Sequence, residues 1–380
     1  MDTQSRWKFS RSQLWLVAVL AAGLVARFWV GRFGVNFDFD SYRIVVDLLQ
    51  HGKNVYANTD RYNYGPIWFN LLGLMEWLSG HEIHRFRHLL VVFLSLADVG
   101  IFWVIWRRFG KWPATIFFLN PISIIVTGMH NQFDNLAILL GMWAVIRYGD
   151  DFERPLARRQ FSALLLLGLS LMTKHVLFLF PFWLAFKQKG LAQKLLVVAV
   201  PTLVFLLGFA PYWDGGAAGI RQNVFQYSST AAATHYFYSL CVPQFVQFLI
   251  SAKTLWLLLL LVGGLLCRRR GALEAMFLYL AMMMTFAPAT TNEYLVIPAP
   301  FAAICPNLFI LGYYVFGSMQ LMFSTCGLNL LKSPDGTSVN YLDLIILFLT
   351  LALVWHFGKP ALRRALQWAR EELQLQFKRD

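Results

Sequence analysis

Residues 36–66 read NFDFDSYRIVVDLLQHGKNVYANTDRYNYGP. Two carboxylates, Asp38 and Asp40, open the stretch, and an amphipathic piece, a break at Gly52 and an aromatic cluster closing at Pro66 follow. Immediately before it lies an apolar run, SQLWLVAVLAAGLVARFWV at 12–30, long enough to cross a bilayer as a helix. Arg6, Lys8 and Arg11 precede that run and set its N-terminus in the cytoplasm. The run continues through Trp29 and Val30 with no small-residue cleavage site, so it reads as a retained first span and not as a signal peptide. The polar stretch then emerges on the outer, non-cytoplasmic face. Ionisable groups are costly to collect beside a hydrocarbon core, and where they gather they mark function.

Working outward, the composition agrees. Of 380 residues 58% are hydrophobic and 14% charged, too little charge to coat a soluble domain of that length. The apolar runs are long and recur along the chain, which indicates a polytopic membrane protein. Lipid cannot satisfy backbone polar groups, so the spans are helices or a closed barrel, and the alternation of a barrel is absent. The fold class is all-α, with about eleven spans by run length. The net charge of +13 is spread in short clusters between apolar runs, as the positive-inside rule produces. It does not call for nucleic acid, and an anionic lipid headgroup or phosphate is the secondary reading. Four scattered cysteines show neither CxxC nor Cys/His metal spacing, so neither a disulfide nor a zinc site is assigned.

The chain reads as one membrane domain, 1–380. It comprises the first helix at 12–30, an outer loop with a juxtamembrane helix at 31–88, the remaining spans at 89–358 and a basic amphipathic cytoplasmic tail at 359–380. Leu89–Trp106 runs inward to Arg107, Arg108 and Lys111, Pro113–Thr127 returns outward, and Leu136–Ile146 goes in again. Phe161–Phe186 carries Lys174 and His175 in its middle. As a single span it would bury a cation at a cost of roughly 2.5–3.5 kcal/mol or more, so two short helices meeting near Lys174 are expected. A second outer loop, Pro211–His235, holds Arg221, and the prolines at 298, 300 and 306 predict broken helices.

On this topology four polar clusters share the outer face: Asp38/Asp40, His130/Gln132/Asp134, Lys174/His175 and Asn292/Glu293/Tyr294. A carboxylate at a water–lipid boundary can take a proton from an attacking hydroxyl, and cations opposite can hold a phosphate leaving group. Blander readings stand beside these. Asp38 and Asp40 could cap a helix or line a solvated turn, and His130, Gln132 and Asp134 could cap the helix that starts at Leu136. Tyr62, Tyr64 and Trp68 fit an interfacial aromatic belt as well as a sugar- or lipid-stacking surface. His81, His84 and His88 lack HExxH spacing and read as an interfacial turn.

DFDSYRIVVDLLQHGKNVYANTDRYNYGPIW (38–68) resembles the first lumenal loop of the GT-C membrane glycosyltransferases. In particular it looks like the D-x-D-Y…D…G-x-x-Y…Y-R-Y-x-P pattern of polyprenol-phosphate-mannose-dependent mannosyltransferases, including the first GPI mannosyltransferase. It is also similar to the D-F-E opening of dolichyl-phosphate-glucose-dependent glucosyltransferases. LNPISIIVTGMHNQFDNLAILLGMWA (119–144) looks like a second GT-C block, N-P-x-S-I…H-x-Q-x-D. The resemblance implies inverting transfer of a hexose, mannose before glucose, from a polyprenyl phosphate. Asp38 would be the catalytic base, and Asp40 the second acidic position that orients the acceptor or, in metal-using relatives, binds a cation. Lys174 takes the place of the basic group near the donor phosphate, with His175 and Arg221 assigned to the donor phosphate or lipid. Tyr42, Tyr62, Tyr64, His130, Gln132, Asp134, Asn292 and Glu293 are assigned to acceptor or sugar.

The donor is a substrate, so no cofactor is expected, and no metal either, because two carboxylates do not complete a coordination shell. The expected partners are the polyprenyl-phosphate hexose, a lipid-linked or glycan acceptor and the bilayer. Two departures from the pattern, Ser41 before Tyr42 and Gly65 in YNYGP, bear on the acceptor more than on the chemistry. The lack of an endoplasmic-reticulum retention signal and the compact loops favour a bacterial plasma membrane. The rival class is a transporter or lipid flippase with Asp38, Lys174 and Glu293 along a pathway, although no internal repeat accompanies it.

Overall fold

The computed structural model describes residues 10–153, 155–227, 236–331 and 340–376, with side chains as far as Lys359. Arg6 and Lys8, the end of the second outer loop (228–235) and the amphipathic face of the tail lie outside the described residues and side chains. Among the described residues there are helices and turns and no strand. Four helical stretches are long and apolar enough to cross a membrane: Arg11–Phe33, Ile83–Phe109, Leu191–Phe225 and Leu342–Lys359. The protein is a multi-pass integral membrane protein. Three further apolar helices, Ala252–Leu266, Ala272–Thr285 and Leu308–Phe323, are shorter. The described helices therefore do not supply about eleven full-length spans, because several apolar runs are interrupted part-way.

The α-helices of eight residues or more are α1 (Arg11–Val30), α2 (Phe37–Gln50), α3 (Pro66–Ser79), α4 (Ile83–Phe109), α5 (Lys111–Leu119), α6 (Pro121–Gly128) and α7 (Asp134–Tyr148). After them come α8 (Arg158–Thr173), α9 (Leu191–Leu207), α10 (Ala252–Leu266), α11 (Ala272–Thr285), α12 (Leu308–Phe323) and α13 (Leu342–Gln376). The helix α1 starts on a reciprocal Ser10–Gln13 capping box, which satisfies two orphan donors. It buries Val19, Gly23, Arg27 and Val30, a single stripe at helical spacing, and leaves Leu14, Val17, Val25 and Trp29 exposed. That is the pattern of a helix with protein on one side and lipid on the other. The expected Pro113–Thr127 span is broken between α5 and α6 at Asn120–Pro121. A residue before proline avoids the helical region, and Asn120 is extended (φ −65°, ψ 130°) and caps α6 through its side chain on the Ile122 amide at 2.8 Å. The helix α13 continues to Gln376, so the tail is an extension of the last span and not a separate element.

Residues 37–79 form a folded layer, not an open loop. Here α2 packs on α3 through a second apolar core that includes Tyr42, Val45, Tyr56, Tyr62, Trp68 and Phe69. Phe133 belongs to the same core and stacks on Trp68 with centroids 4.1 Å apart at 10°. That stack joins the layer to the turn between α6 and α7.

The turn is held from below by a buried ion pair. Arg27 on α1 and Asp98 on α4 are both wholly buried, with Nε 2.8 Å from Oδ2. Asp98 also accepts from Thr127 Oγ1 at 2.7 Å and from Asn135 Nδ2 at 2.5 Å. Arg27 spends its other donors on the Gly23 and Phe118 carbonyls and on Ser123 Oγ, and its guanidinium lies 4.3 Å from the Phe118 ring centroid. Charges inside a bilayer persist when every donor and acceptor is matched. Gly128 lets α1 and α6 meet, since a Cβ there would come within 2.4 Å of the Arg27 carbonyl oxygen. Asp98→Leu strands Arg27 and should cost about 3–5 kcal/mol, while Arg27→Met with Asp98→Leu should recover most of it. Unfolding in detergent checks this: a double variant as unstable as the sum of the single ones would contradict the coupling.

Candidate active site

Asp38 sits in the first turn of α2, whose N-cap is Asn36 (Oδ1 to the Phe39 amide, 3.3 Å). Carboxylates are favoured at that end of a helix. Residues two apart on a helix point about 200° apart, so the two aspartates diverge. Asp38 is half-buried and turned into the protein, whereas Asp40 is exposed to solvent. The two do not form a carboxylate pair, because the triplet lies in a helix and not in a loop.

Asp38 Oδ2 accepts from Asn36 Nδ2 at 3.2 Å and from Gln132 Nε2 in a short contact. Gln132 Oε1 accepts from Lys174 Nζ at 3.2 Å, and Lys174 pairs with Asp134 Oδ2 at 2.6 Å. On the other side Asn36 Nδ2 also reaches Glu293 Oε1 at 3.4 Å, and His130 Nδ1 stands 3.3 Å from the same oxygen. His130 is fully buried and neither ring nitrogen is hydrogen-bonded, so its link to Glu293 is one of proximity and charge. One network thus unites His130, Gln132, Asp134, Lys174 and Glu293 around Asp38, drawn from four distant parts of the chain.

Local backbone explains the placement. Asn131 adopts a left-handed conformation (φ 53°), which asparagine tolerates better than most residues. Its amide is tied to the Thr127 and Gly128 carbonyls, and its carbonyl accepts from the Tyr42 hydroxyl at 3.4 Å. Its neighbours His130 and Gln132 therefore enter the cluster. Lys174 ends α8 in an extended conformation (φ −151°, ψ 128°) before the 3-10 turn His175–Leu177, so the Phe161–Phe186 run does break at Lys174. Its ammonium lies 4.8–5.7 Å from the ring centroids of Phe133, Tyr64 and Tyr294, within the range of cation–π attraction.

Burial, and after it the charge of Glu293, raises Asp38 to about 6, against the opposing pull of Lys174, His130 and the Asn36 hydrogen bond. For Glu293 burial acts upward, but His130 and Thr291 more than offset it and hold the group down to about 2. At neutral pH both carboxylates are ionised, and Asp38 is the one whose basicity is raised.

Other expected site residues lie elsewhere. Tyr62 is buried and its hydroxyl is used internally, donating to the Gly65 carbonyl at 2.7 Å and accepting from the Phe69 amide at 3.1 Å. Asn292 accepts from Gln320 and donates to Ser324, both at 3.0 Å, which anchors the turn that carries Glu293. Arg221 is exposed on a π-helical turn, Ile220–Phe225. His175 borders a largely apolar cavity of about 670 Å³, with Phe205, Tyr227, Lys253, Trp256 and Tyr294 among its walls. Among the described residues no cluster of three or more His, Cys, Asp or Glu could hold a metal ion. Sequence reasoning missed Asn36, legible as an N-cap two residues before Asp38. It also missed Arg27 and Asp98, legible as charges inside apolar runs.

Two solved structures share this architecture. ArnT from Cupriavidus metallidurans in the apo state superposes with a TM-score of 0.51 at 14% identity, over 92% of this chain and 77% of that one. ArnT from the same organism bound to undecaprenyl phosphate gives 0.50 at 16%, over 91% and 78%. The chain has the fold of ArnT. At these identities the likeness is one of fold. No family model matches the sequence, and no curated protein matches it.

Gly65, where the mannosyltransferase-like pattern departs, has a packing reason. A Cβ there would lie 1.8 Å from the Met172 carbonyl oxygen, two residues before Lys174. Gly65→Ala should force the 62–66 segment off the end of α8 and destabilise the protein by ~3 kcal/mol or more. A thermal unfolding midpoint equal to that of the unaltered protein would contradict this contact.

Proposed function

We propose that this protein is a polyprenyl-phosphate-dependent glycosyltransferase acting at the outer face of a bacterial plasma membrane. One observation carries the reading. Asp38, a half-buried carboxylate with its basicity raised to about 6, is hydrogen-bonded through Gln132 to a buried lysine, and Tyr294 links this cluster to an apolar cavity. A base poised near neutrality suits removal of a hydroxyl proton in the transition state, and the cavity suits the proximal part of a lipid chain. The fold shared with ArnT supports the same class, since one of those structures holds undecaprenyl phosphate.

In this mechanism Asp38 takes the proton of an acceptor hydroxyl while the oxygen attacks the anomeric carbon. The bond from that carbon to the phosphate oxygen breaks, and polyprenyl phosphate leaves with the bonding electrons, inverting the centre. Lys174 is already paired with Asp134 and contributes positive potential. The exposed ammonium of Lys253 at the cavity wall is the freer group to meet the phosphate. A hexose is the sugar, mannose before glucose, on the likeness of residues 38–68, and the acceptor is a lipid-linked or glycan hydroxyl.

The test is release of polyprenyl phosphate by purified protein in lipid, offered a panel of polyprenyl-phosphate hexoses with a membrane extract as acceptor. Asp38→Asn should lower release by about 100-fold or more. The base works deprotonated, so wild-type release should fall as the pH drops below about 6. Equal release by Asp38→Asn, or none from any donor by the wild type, would overturn the reading.

A further inference from the structure

Besides Asp38 and the Lys174-paired Asp134, the cluster contains a third carboxylate that the transfer step does not use. Glu293 lies on the 3-10 turn Asn292–Val296, 257 residues along the chain from Asn36, yet the two share a hydrogen bond. The Asn36 amide is held between two acids: its Nδ2 donates to Asp38 Oδ2 at 3.2 Å and to Glu293 Oε1 at 3.4 Å. The same residue caps α2 through its oxygen, so its orientation is set by the helix it starts. Glu293 is fixed in turn. Its neighbour Asn292 is clamped by Gln320 and Ser324, and Gln320 Oε1 accepts from the Tyr341 amide at 2.6 Å. The fully buried ring of His130 faces it from the α6–α7 turn.

Two carboxylates bridged by one amide would repel and part unless each were tied down independently. Here each is: Asp38 from the α2 side through Gln132, and Glu293 from the C-terminal half through its turn. The fully buried His130 ring sets Nδ1 3.3 Å from Glu293 Oε1, and this contact favours the ionised form of Glu293. The arrangement has the form of a support for Asp38, not of a sugar-binding wall.

We infer that Glu293 is a positioning residue for Asp38: bridged by Asn36 and paired with His130, it fixes the orientation and the electrostatic surroundings of that carboxylate. The inference rests on the reading of Asp38 as the base of the transfer, and it gives Glu293 a role other than contact with sugar or acceptor. The groups facing Asp38 come from every neighbouring element. They are Glu293 and Tyr294 from the 292–296 turn, His130 from the α6–α7 turn, Asp134 from the start of α7, paired with Lys174 from the end of α8, Tyr64 from the segment before α3 and Tyr42 from α2 itself. Asp134 is matched by Lys174, whereas Glu293 is the carboxylate whose charge opposes ionisation of Asp38, so removing it should make Asp38 easier to ionise.

The decisive experiment needs no substrate. Infrared difference spectra of the purified protein in nanodiscs, taken across a pH series, report the carbonyl stretch of protonated carboxyls. The Asp38 band is identified by its loss in Asp38→Asn. In Glu293→Gln its midpoint should move down by roughly one pH unit, the scale of one nearby charge, and Glu293→Asp should restore most of the shift. Asn36→Ser keeps a helix cap but removes the amide bridge, and should change the same band if Glu293→Gln fails to fold. In the release assay Glu293→Gln should lower kcat by about tenfold with the donor KM unchanged. An unmoved Asp38 midpoint in a folded Glu293→Gln protein would overturn the inference, as would a rise in donor or acceptor KM at constant kcat, the mark of a binding residue. Wild-type protein that releases no polyprenyl phosphate would overturn the transferase reading instead, while the titration would still decide whether Glu293 governs Asp38.

Discussion

The ion pair between Arg27 and Asp98 is the contact on which the rest of the structure depends. An isolated charge in a membrane interior is not stable, and this one persists because each polar atom of both groups finds a partner among α1, α4, α5, α6 and α7. Asp98 takes Thr127 on one side of the α6–α7 turn and Asn135 on the other. The turn between those two residues is therefore clamped at both ends by a single carboxylate, and it carries His130, Gln132, Phe133 and Asp134. Breaking the pair would free both ends of that turn.

From that turn the site is built outward in two directions. Phe133 stacks on Trp68 and locks the α2–α3 layer in place, which presents Asp38. Gln132 hydrogen-bonds to both Asp38 and Lys174, so the Asp38 carboxylate and the buried cation are spaced by one amide. The C-terminal half contributes through a turn that Asn292 ties to α12. Non-helical backbone in a membrane protein is tolerated where protein buries it or where it lines a cavity, and the interruptions at Lys174, at 129–133 and at 292–296 all fall here. Each break in a helix delivers a polar side chain to the same place.

Much of this was legible in the sequence. Charge-poor, recurrent apolar runs leave helices as the reading, a lysine in the middle of such a run predicts a break there, and polar clusters at run ends predict that they meet. What the residues alone do not show is where each polar atom finds its partner. Tyr62 and Asn292 read as ligand groups because they are polar and lie between apolar runs, yet their hydroxyl and amide are used within the protein. Asp38 and Asp40 read as one cluster at the end of an apolar run, and a helix that starts after Asn36 turns them apart. Arg27 and Asp98 lie 71 residues apart, and neither identifies the other without the packing of α1 on α4. Run length does not register an interruption such as that at Asn120–Pro121, and among the described helices four are each long and apolar enough to cross a membrane.

The central claim is that a lipid phosphate binds with its head beside Asp38 and its chain in the cavity walled by Phe205, Trp256 and Tyr294. An electron cryo-microscopy structure of the protein in nanodiscs with undecaprenyl phosphate tests it most directly. The account predicts phosphate density within hydrogen-bonding reach of Lys253 or at the Lys174–Tyr294 edge of the cluster, with the lipid chain running into that cavity. Lipid density on a different face of the bundle, with the cavity empty, would contradict it.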